Sequence, residues 1–144
     1  TRLRGEPPND QRARDLLHRV GLSDYADQKP ATLSGGMRQR AALARTLFED
    51  RPIVFLDEPF SALDAGTRAD MQELAAEVLK DRTVLLVTHD PAEAARLAHH
   101  IIVMTSQETQ NWPVPETTAL REIDAPETLH CQARLLAYLR RGTA

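Results

Sequence analysis

After residue 50 the chain alternates between short apolar runs and amphipathic stretches of helix length, and that alternation limits the folds open to it. Ile53 to Leu56 is an uninterrupted apolar run of strand length with β-branched and aromatic members, the pattern of a strand buried on both faces of a parallel sheet. Thr83 to Thr88 repeats the pattern, and Ile101 to Met104 forms a third such run. Between the first two, from about Ala65 to Lys80, the apolar positions Met71, Leu74, Ala75, Val78 and Leu79 make a helical stripe. Between the second and third, Asp90-Pro91-Ala92-Glu93 offers an acidic N-cap, proline at the first helical position and glutamate at the third, with the helix ending near Ala98. Strand, helix, strand, helix, strand predicts an α/β sheet joined by right-handed crossovers.

The flanks read differently. Asn9 or Asp10 can cap a helix with Ala13, Leu16, Leu17 and Val20 on one face and Gly21 at its end. Ser23-Asp24-Tyr25 begins a further turn that stops before Pro30, and Ser34 caps a helix from Gly35 to about Glu49. Ser106 to Asp124, polar and containing Pro113 and Pro115, reads as loop. A last helix is predicted from Pro126 to Arg141, with Leu129, Ala133, Leu136 and Leu139 or Tyr138 inward and Gly142 after it. Three segments follow: 1–52, 53–105 and 106–144.

Composition narrows the function classes. The net charge is −3 with both signs mixed along 144 residues, so no basic field suits nucleic acid. The single cysteine, Cys131, has no partner for an internal disulfide, and no apolar run approaches the ~20 residues a membrane span needs. A cytosolic setting is the default expectation. Thr1-Arg2-Leu3-Arg4-Gly5 offers neither an initiating methionine nor the apolar stretch of a signal peptide, so a longer parent chain is expected. His18, His99, His100 and His130 have no carboxylate or cysteine at metal-ligand spacing and read as structural or surface residues.

Chemistry concentrates at helix starts and strand ends. Ser34-Gly35-Gly36 puts a hydroxyl and two amides without side chains at a helix N-terminus, where unpaired N–H groups and the helix dipole favour an anion such as phosphate. By themselves these three residues read more readily as a capped loop. Asp57 and Glu58 close the first apolar run, at the functional edge of a parallel sheet, and Pro59 follows them. One such acid can hold Mg²⁺ through water while its neighbour orients or deprotonates an attacking water. Ser61-Ala62-Leu63-Asp64 precedes the stripe of the next helix, for which Asp64 can serve as N-cap. His89 follows the second apolar run, either as an ordinary polar loop residue or as a group reaching a phosphate beyond the sheet edge.

Taken in order, Leu33-Ser34-Gly35-Gly36-Met37-Arg38-Gln39-Arg40, Ile53-Val54-Phe55-Leu56-Asp57-Glu58-Pro59, Ser61-Ala62-Leu63-Asp64 and Thr88-His89-Asp90 resemble the signature motif, Walker B segment, D-loop and switch histidine of ABC transporter ATPases. The resemblance covers about residues 10 to 105. It implies a P-loop NTPase core with part of the helical signature subdomain. In that family Ser34, Gly35, Gly36 and Met37, the last in place of the commoner glutamine, would touch the γ-phosphate of ATP held by an opposite subunit. Asp57 would hold Mg²⁺ through water, Glu58 and His89 would be catalytic, and Ser61 and Asp64 would lie at the dimer interface. Arg38, Gln39 and Arg40 read as a solvated or subdomain-packing face and carry no catalytic role. The implied partners are a second ATPase subunit in a homodimer, membrane permease subunits and, indirectly, a solute-binding protein. The implied location is the inner face of the cell membrane.

The same resemblance carries an omission. No G-x-x-x-x-G-K-[ST] phosphate loop occurs, because the only lysines are Lys29, before Pro30, and Lys80, before Asp81. The expectation is therefore the C-terminal half of an energy-coupling ATPase of a bacterial import system, inactive in isolation. In the family the strand leading to the phosphate loop lies between the strands ending at His89 and at Met104. Without it the gap is expected to close by direct pairing or through a neighbouring molecule. The terminal Leu135-Leu136-Ala137-Tyr138-Leu139 looks like the tail of nitrate, sulfonate, taurine and thiamine-precursor importers, whereas Ser106-Gln107-Glu108-Thr109-Gln110 replaces their usual Gly- and Pro-rich turn. Two alternatives stand beside this reading: a non-catalytic module donating its signature face in trans, and a DNA-maintenance ATPase, for which heptads and a basic patch are missing.

Overall fold

The computed structural model describes residues 9–49, 51–106 and 108–141. By contact the chain forms two compact units, Thr1–Val87 and Thr88–Ala144.

In the first unit, α1 (Asp10–Arg19) is capped by Asn9, whose side chain accepts from the Arg12 N–H at 3.0 Å. It ends at Gly21, where φ of +67° suits glycine and lets Leu22 N–H reach the Leu17 carbonyl at 2.8 Å. Leu16, Val20 and Leu22 are buried. Short 3₁₀ turns at Ser23–Tyr25 and Pro30–Thr32 lead to α2 (Gly35–Phe48). There Arg40 reaches back to the Val20 carbonyl at 3.0 Å, tying α2 to the end of α1. Leu43, Ala44 and Leu47 form the buried stripe of α2.

β1 (Ile53–Asp57) pairs in parallel with β2 (Thr83–Val87), Ile53 opposite Thr83 and Asp57 opposite Val87, with α3 (Ala65–Val78) in the connection. The apolar runs predict strands buried on both faces, and here the structure differs. Val54 and Leu56 are buried, whereas Ile53, Phe55, Leu85 and Val87 are each more than half exposed. The register places these four on one side of the ribbon and the buried Val54 and Leu56 on the other. Met71, Leu74, Ala75 and Leu79 are buried as the helical stripe predicts.

The second unit holds α4 (Pro91–Leu97), β3 (Ile101–Met104), β4 (Thr109–Trp112) and α5 (Pro126–Arg141). β4 corrects the expectation of loop from Ser106 to Asp124. Its Thr-Gln-Asn-Trp sequence has no apolar alternation, yet it pairs antiparallel with β3, Ile101 opposite Trp112. The turn is closed by Thr105 N–H on the Glu108 carbonyl at 2.9 Å, and by Glu108 N–H on Thr105 Oγ1 at 3.1 Å. Backbone pairing and the partial burial of Trp112 against the core of this unit make this strand, and neither has a periodic signature. β2 lies in a two-stranded sheet with β1, and β3 in a two-stranded sheet with β4.

Ala95, Ile101, Val103, Cys131 and Leu135 form the core of this unit, with Trp112, Val114, Tyr138 and Leu139 packed against it. α5 has the predicted bounds, but its inner face is rotated from the prediction. Thr128, Cys131 and Leu135 are buried, while Leu129 and Leu136 are exposed. Tyr138 continues the i, i+3, i+7, i+10 line from Thr128, and its ring lies 5.1 Å from that of Trp112. The expectation that Gly142 ends this helix falls outside the described residues.

Candidate functional site

The start of α2 forms as the sequence predicts. Ser34 has extended backbone, and its Oγ accepts from the Met37 N–H at 3.2 Å, leaving its own proton available for another acceptor. The N–H groups of Gly35 and Gly36 have no carbonyl ahead of them in the helix. The two glycines differ in what the fold asks of them. A Cβ on Gly36 would lie 3.4 Å from the Ala62 carbonyl and 3.6 Å from Leu63 Cδ2, in ordinary van der Waals contact with both. A Cβ on Gly35 would meet nothing within 4 Å, and its φ is not positive. Packing and backbone give no reason for glycine at position 35.

The carboxylates sit at the end of β1. Asp57 is exposed at the last strand position, and Glu58 follows half-buried. Glu58 N–H continues the ladder by donating to the Val87 carbonyl at 2.9 Å, and its φ is +47°, a left-handed conformation uncommon for glutamate. Its carbonyl then accepts from Ser61 Oγ at 3.0 Å, closing the turn, and Phe60 anchors that turn at 1 % exposure. Asp64 caps α3, accepting from the Thr67 N–H at 3.0 Å. Hydrogen bonds from the Thr67 backbone and side chain hold its carboxyl below the usual range.

Gln39, for which the sequence suggests no catalytic role, connects these parts. Its amide nitrogen donates to the Glu58 carbonyl at 2.6 Å and to Ser61 Oγ at 3.2 Å, while its oxygen accepts from the Ala62 N–H at 2.8 Å. The available signal was position: Gln39 is one helical turn beyond Gly35 and Gly36, on the same face.

In the second unit His89 is exposed in the turn ahead of α4. Its neighbours fix that turn. Thr88 donates to Glu93 Oε2 at 2.8 Å and accepts from the Asp90 N–H at 3.0 Å, while Asp90 Oδ1 accepts from the Ala92 N–H at 2.8 Å. Glu93 is buried at 3 % exposure. Cys131 is also buried, which raises its thiol pKa, and it makes a weak contact with the Pro113 carbonyl at 3.7 Å, a structural role.

Among the described residues no group of three or more His, Cys, Asp or Glu side chains could hold a metal ion. Asp57 alone can contribute a carboxylate to a hard divalent cation, whose other ligands would be water and phosphate oxygens. An exposed acid at a strand end fits that partial role.

Comparison with known proteins identifies the family. The family described as ABC transporter matches residues 2–61. An ABC transporter ATP-binding protein of uncharacterised function from Haemophilus influenzae is 48 % identical over 125 residues, covering 87 % of this chain and 51 % of the relative. The thiamine import ATP-binding protein ThiQ of Cereibacter sphaeroides is 43 % identical, covering 82 % and 51 %. The aliphatic sulfonates import ATP-binding protein SsuB of Rhodopseudomonas palustris is 39 % identical, covering 97 % and 50 %. A solved ABC transporter in an inward-facing conformation superposes with a TM-score of 0.62 at 26 % identity, covering 90 % of this chain and 51 % of that one. The chain therefore spans about half the length of the relatives it matches. With its mixed α/β architecture it belongs to the ABC transporter ATP-binding family.

Proposed function

We propose that this chain is the signature-bearing part of an energy-coupling ATPase subunit of a bacterial import system. The observation that carries the reading is Gly35. A glycine in a helix costs up to about 1 kcal/mol relative to alanine, and at position 35 neither backbone conformation nor packing accounts for it. A ligand that must approach the main chain closely does account for it. Ser34 Oγ–H and the Gly35 and Gly36 N–H groups form a donor set suited to phosphate oxygens, here those of ATP held by the opposite subunit of a homodimer. Met37 completes that face.

Within the chain's own composite site, Glu58 orients the attacking water and accepts its proton, and Asp57 holds Mg²⁺ through water. Bound Mg²⁺ supplies neutralisation of charge on the phosphate oxygens. His89 contacts the γ-phosphate, and Ser61 and Asp64 face the second subunit. The subunit would sit on the cytoplasmic face of the membrane against permease subunits, which receive solute from a binding protein. No nucleic acid takes part.

These 144 residues contain no phosphate loop, so the lysine and backbone nest that grip the β- and γ-phosphates must come from elsewhere. ATP turnover is therefore expected to be absent from the isolated chain and to appear on mixing with a phosphate-loop half from a relative. Turnover by the chain alone would overturn the reading of inactivity. In the complete assembly Glu58→Gln should leave ATP binding intact and slow hydrolysis by about a hundredfold or more; unchanged turnover would remove Glu58 from the reaction.

A further inference from the structure

The three polar contacts of Gln39 run from the helix that begins at the signature glycines to the turn that carries Glu58. Its amide nitrogen holds the Glu58 carbonyl and Ser61 Oγ, and its amide oxygen holds the Ala62 N–H. Both ends of one short, planar group are thereby used, and a single rotamer satisfies all three partners. Beside it, a methyl on Gly36 would just reach the Ala62 carbonyl, so the helix and that backbone run close together. The turn has reason to need holding, since Glu58 adopts φ +47°, which persists only where its surroundings impose it.

We propose that Gln39 is a positioning residue, which locks the Glu58 turn and the Ser61–Ala62 backbone to the N-terminal turn of α2. The catalytic consequence rests on the proposed ATPase reading. There, the start of α2 contacts nucleotide held by the opposite subunit while Glu58 serves the chain's own nucleotide. Gln39 is then the link through which a shift of the signature helix at one composite site moves Glu58 at the other. Sub-ångström displacement is enough, because productive geometry at a reacting centre tolerates little misplacement.

Two measurements test this. In the 144-residue chain, amide hydrogen exchange reads the clamp without any catalysis. Gln39→Leu should speed exchange of the Ala62 amide about tenfold and leave the Leu43 to Leu47 amides of α2 unchanged. Gln39→Glu keeps an acceptor for Ala62 and should keep its protection, while losing the donor to Glu58. Unaltered Ala62 exchange in Gln39→Leu would overturn the clamp; slowed or faster exchange throughout α2 would reduce Gln39 to a general packing residue.

In the assembly with a phosphate-loop half, Gln39→Leu and Gln39→Glu should each lower turnover about tenfold. Neither should lower it further when Glu58 is already replaced by Gln, because both changes act on the same group. A merely structural loss would multiply in either background, and multiplication would refute positioning through Glu58. If the wild-type assembly has no turnover, the ATPase reading and the catalytic consequence fall together, and the exchange measurement still decides whether Gln39 holds the turn.

Discussion

Arg121 donates from Nη1 to the carbonyls of Ala95 at 3.0 Å and Ala98 at 2.9 Å, capping the C-terminal end of α4 from a segment more than twenty residues downstream. Nη2 meets the Pro115 and Thr117 carbonyls at 3.0 and 2.9 Å, and Nε meets Thr117 Oγ1 at 3.2 Å. The side chain is only 5 % exposed, and burial lowers its pKa, yet a guanidinium so surrounded by oxygens stays charged. The backbones are joined as well, with Arg121 N–H on the Arg96 carbonyl at 3.0 Å.

Replacing Arg121 by methionine leaves several buried carbonyls unsatisfied and should destabilise the second unit by roughly 3 kcal/mol or more. Lysine restores the charge without the planar fork and should recover only part of the loss. Urea midpoints followed by the fluorescence of Trp112, the single tryptophan, measure both variants. A midpoint unchanged in Arg121→Met would contradict the capping role.

Gly35→Ala separates folding from function. The added methyl has free space and improves helix propensity, so stability should be unchanged or higher by up to about 1 kcal/mol. The same methyl stands where a phosphate would approach, so turnover in the complete assembly should fall. Gly36→Ala differs, because its methyl would enter van der Waals contact with the Ala62 carbonyl and Leu63, so its stability also depends on how the Ser61–Ala62 backbone adjusts. Thermal unfolding and ATP turnover of the two variants test the contrast, and equal behaviour of both would remove the special role of position 35.

The conformation of Glu58 gives an opposing trade. Glycine adopts φ +47° without steric cost, so Glu58→Gly should gain up to about 1 kcal/mol in chain stability from relief of strain. It should also abolish turnover in the complete assembly. Glu58→Gln keeps the strain, so its stability should match wild type while turnover falls. Denaturation midpoints of the three proteins order them directly. A destabilised glycine variant would mean that the side chain contributes more to the fold than its backbone costs.

Much of this was legible in the sequence where local chemistry decides the outcome. Ser34, Asp64 and Asp90 cap helices because a short oxygen-bearing side chain satisfies a nearby N–H, which requires no tertiary information. The same holds for Gly21 and the bounds of α5. What was not legible depends on distant partners. β4 exists because Thr105 and Glu108 close a turn and Trp112 finds Tyr138, 26 residues away along the chain. The exposure of Phe55 and Leu85 depends on what covers the ribbon, whereas an apolar run reports only that it can be covered. Gln39 escaped notice because polar residues on a helix are usually solvated, and only the proximity of the Glu58 turn turns its amide into a clamp.

Asp64 yields a pH prediction that also separates its two readings. Hydrogen bonds from Thr67 favour the charged carboxylate, so its folded pKa lies below the value near 3.9 of an unfolded chain. The sign follows: the folded state binds this proton less readily, so the cap's contribution is fully present above about pH 3.9 and is lost as pH falls through the lower folded value. Asparagine in its place would cap almost as well without titrating. Asp64→Asn should therefore match wild type in stability near pH 7 and show a flatter stability profile in that acid window, checked by denaturation across pH. In the complete assembly the same variant should lower turnover through the subunit interface despite its intact cap. Wild-type turnover in Asp64→Asn would leave Asp64 as a helix cap alone, and a stability loss at neutral pH would show that its charge supports the fold beyond the bond to Thr67.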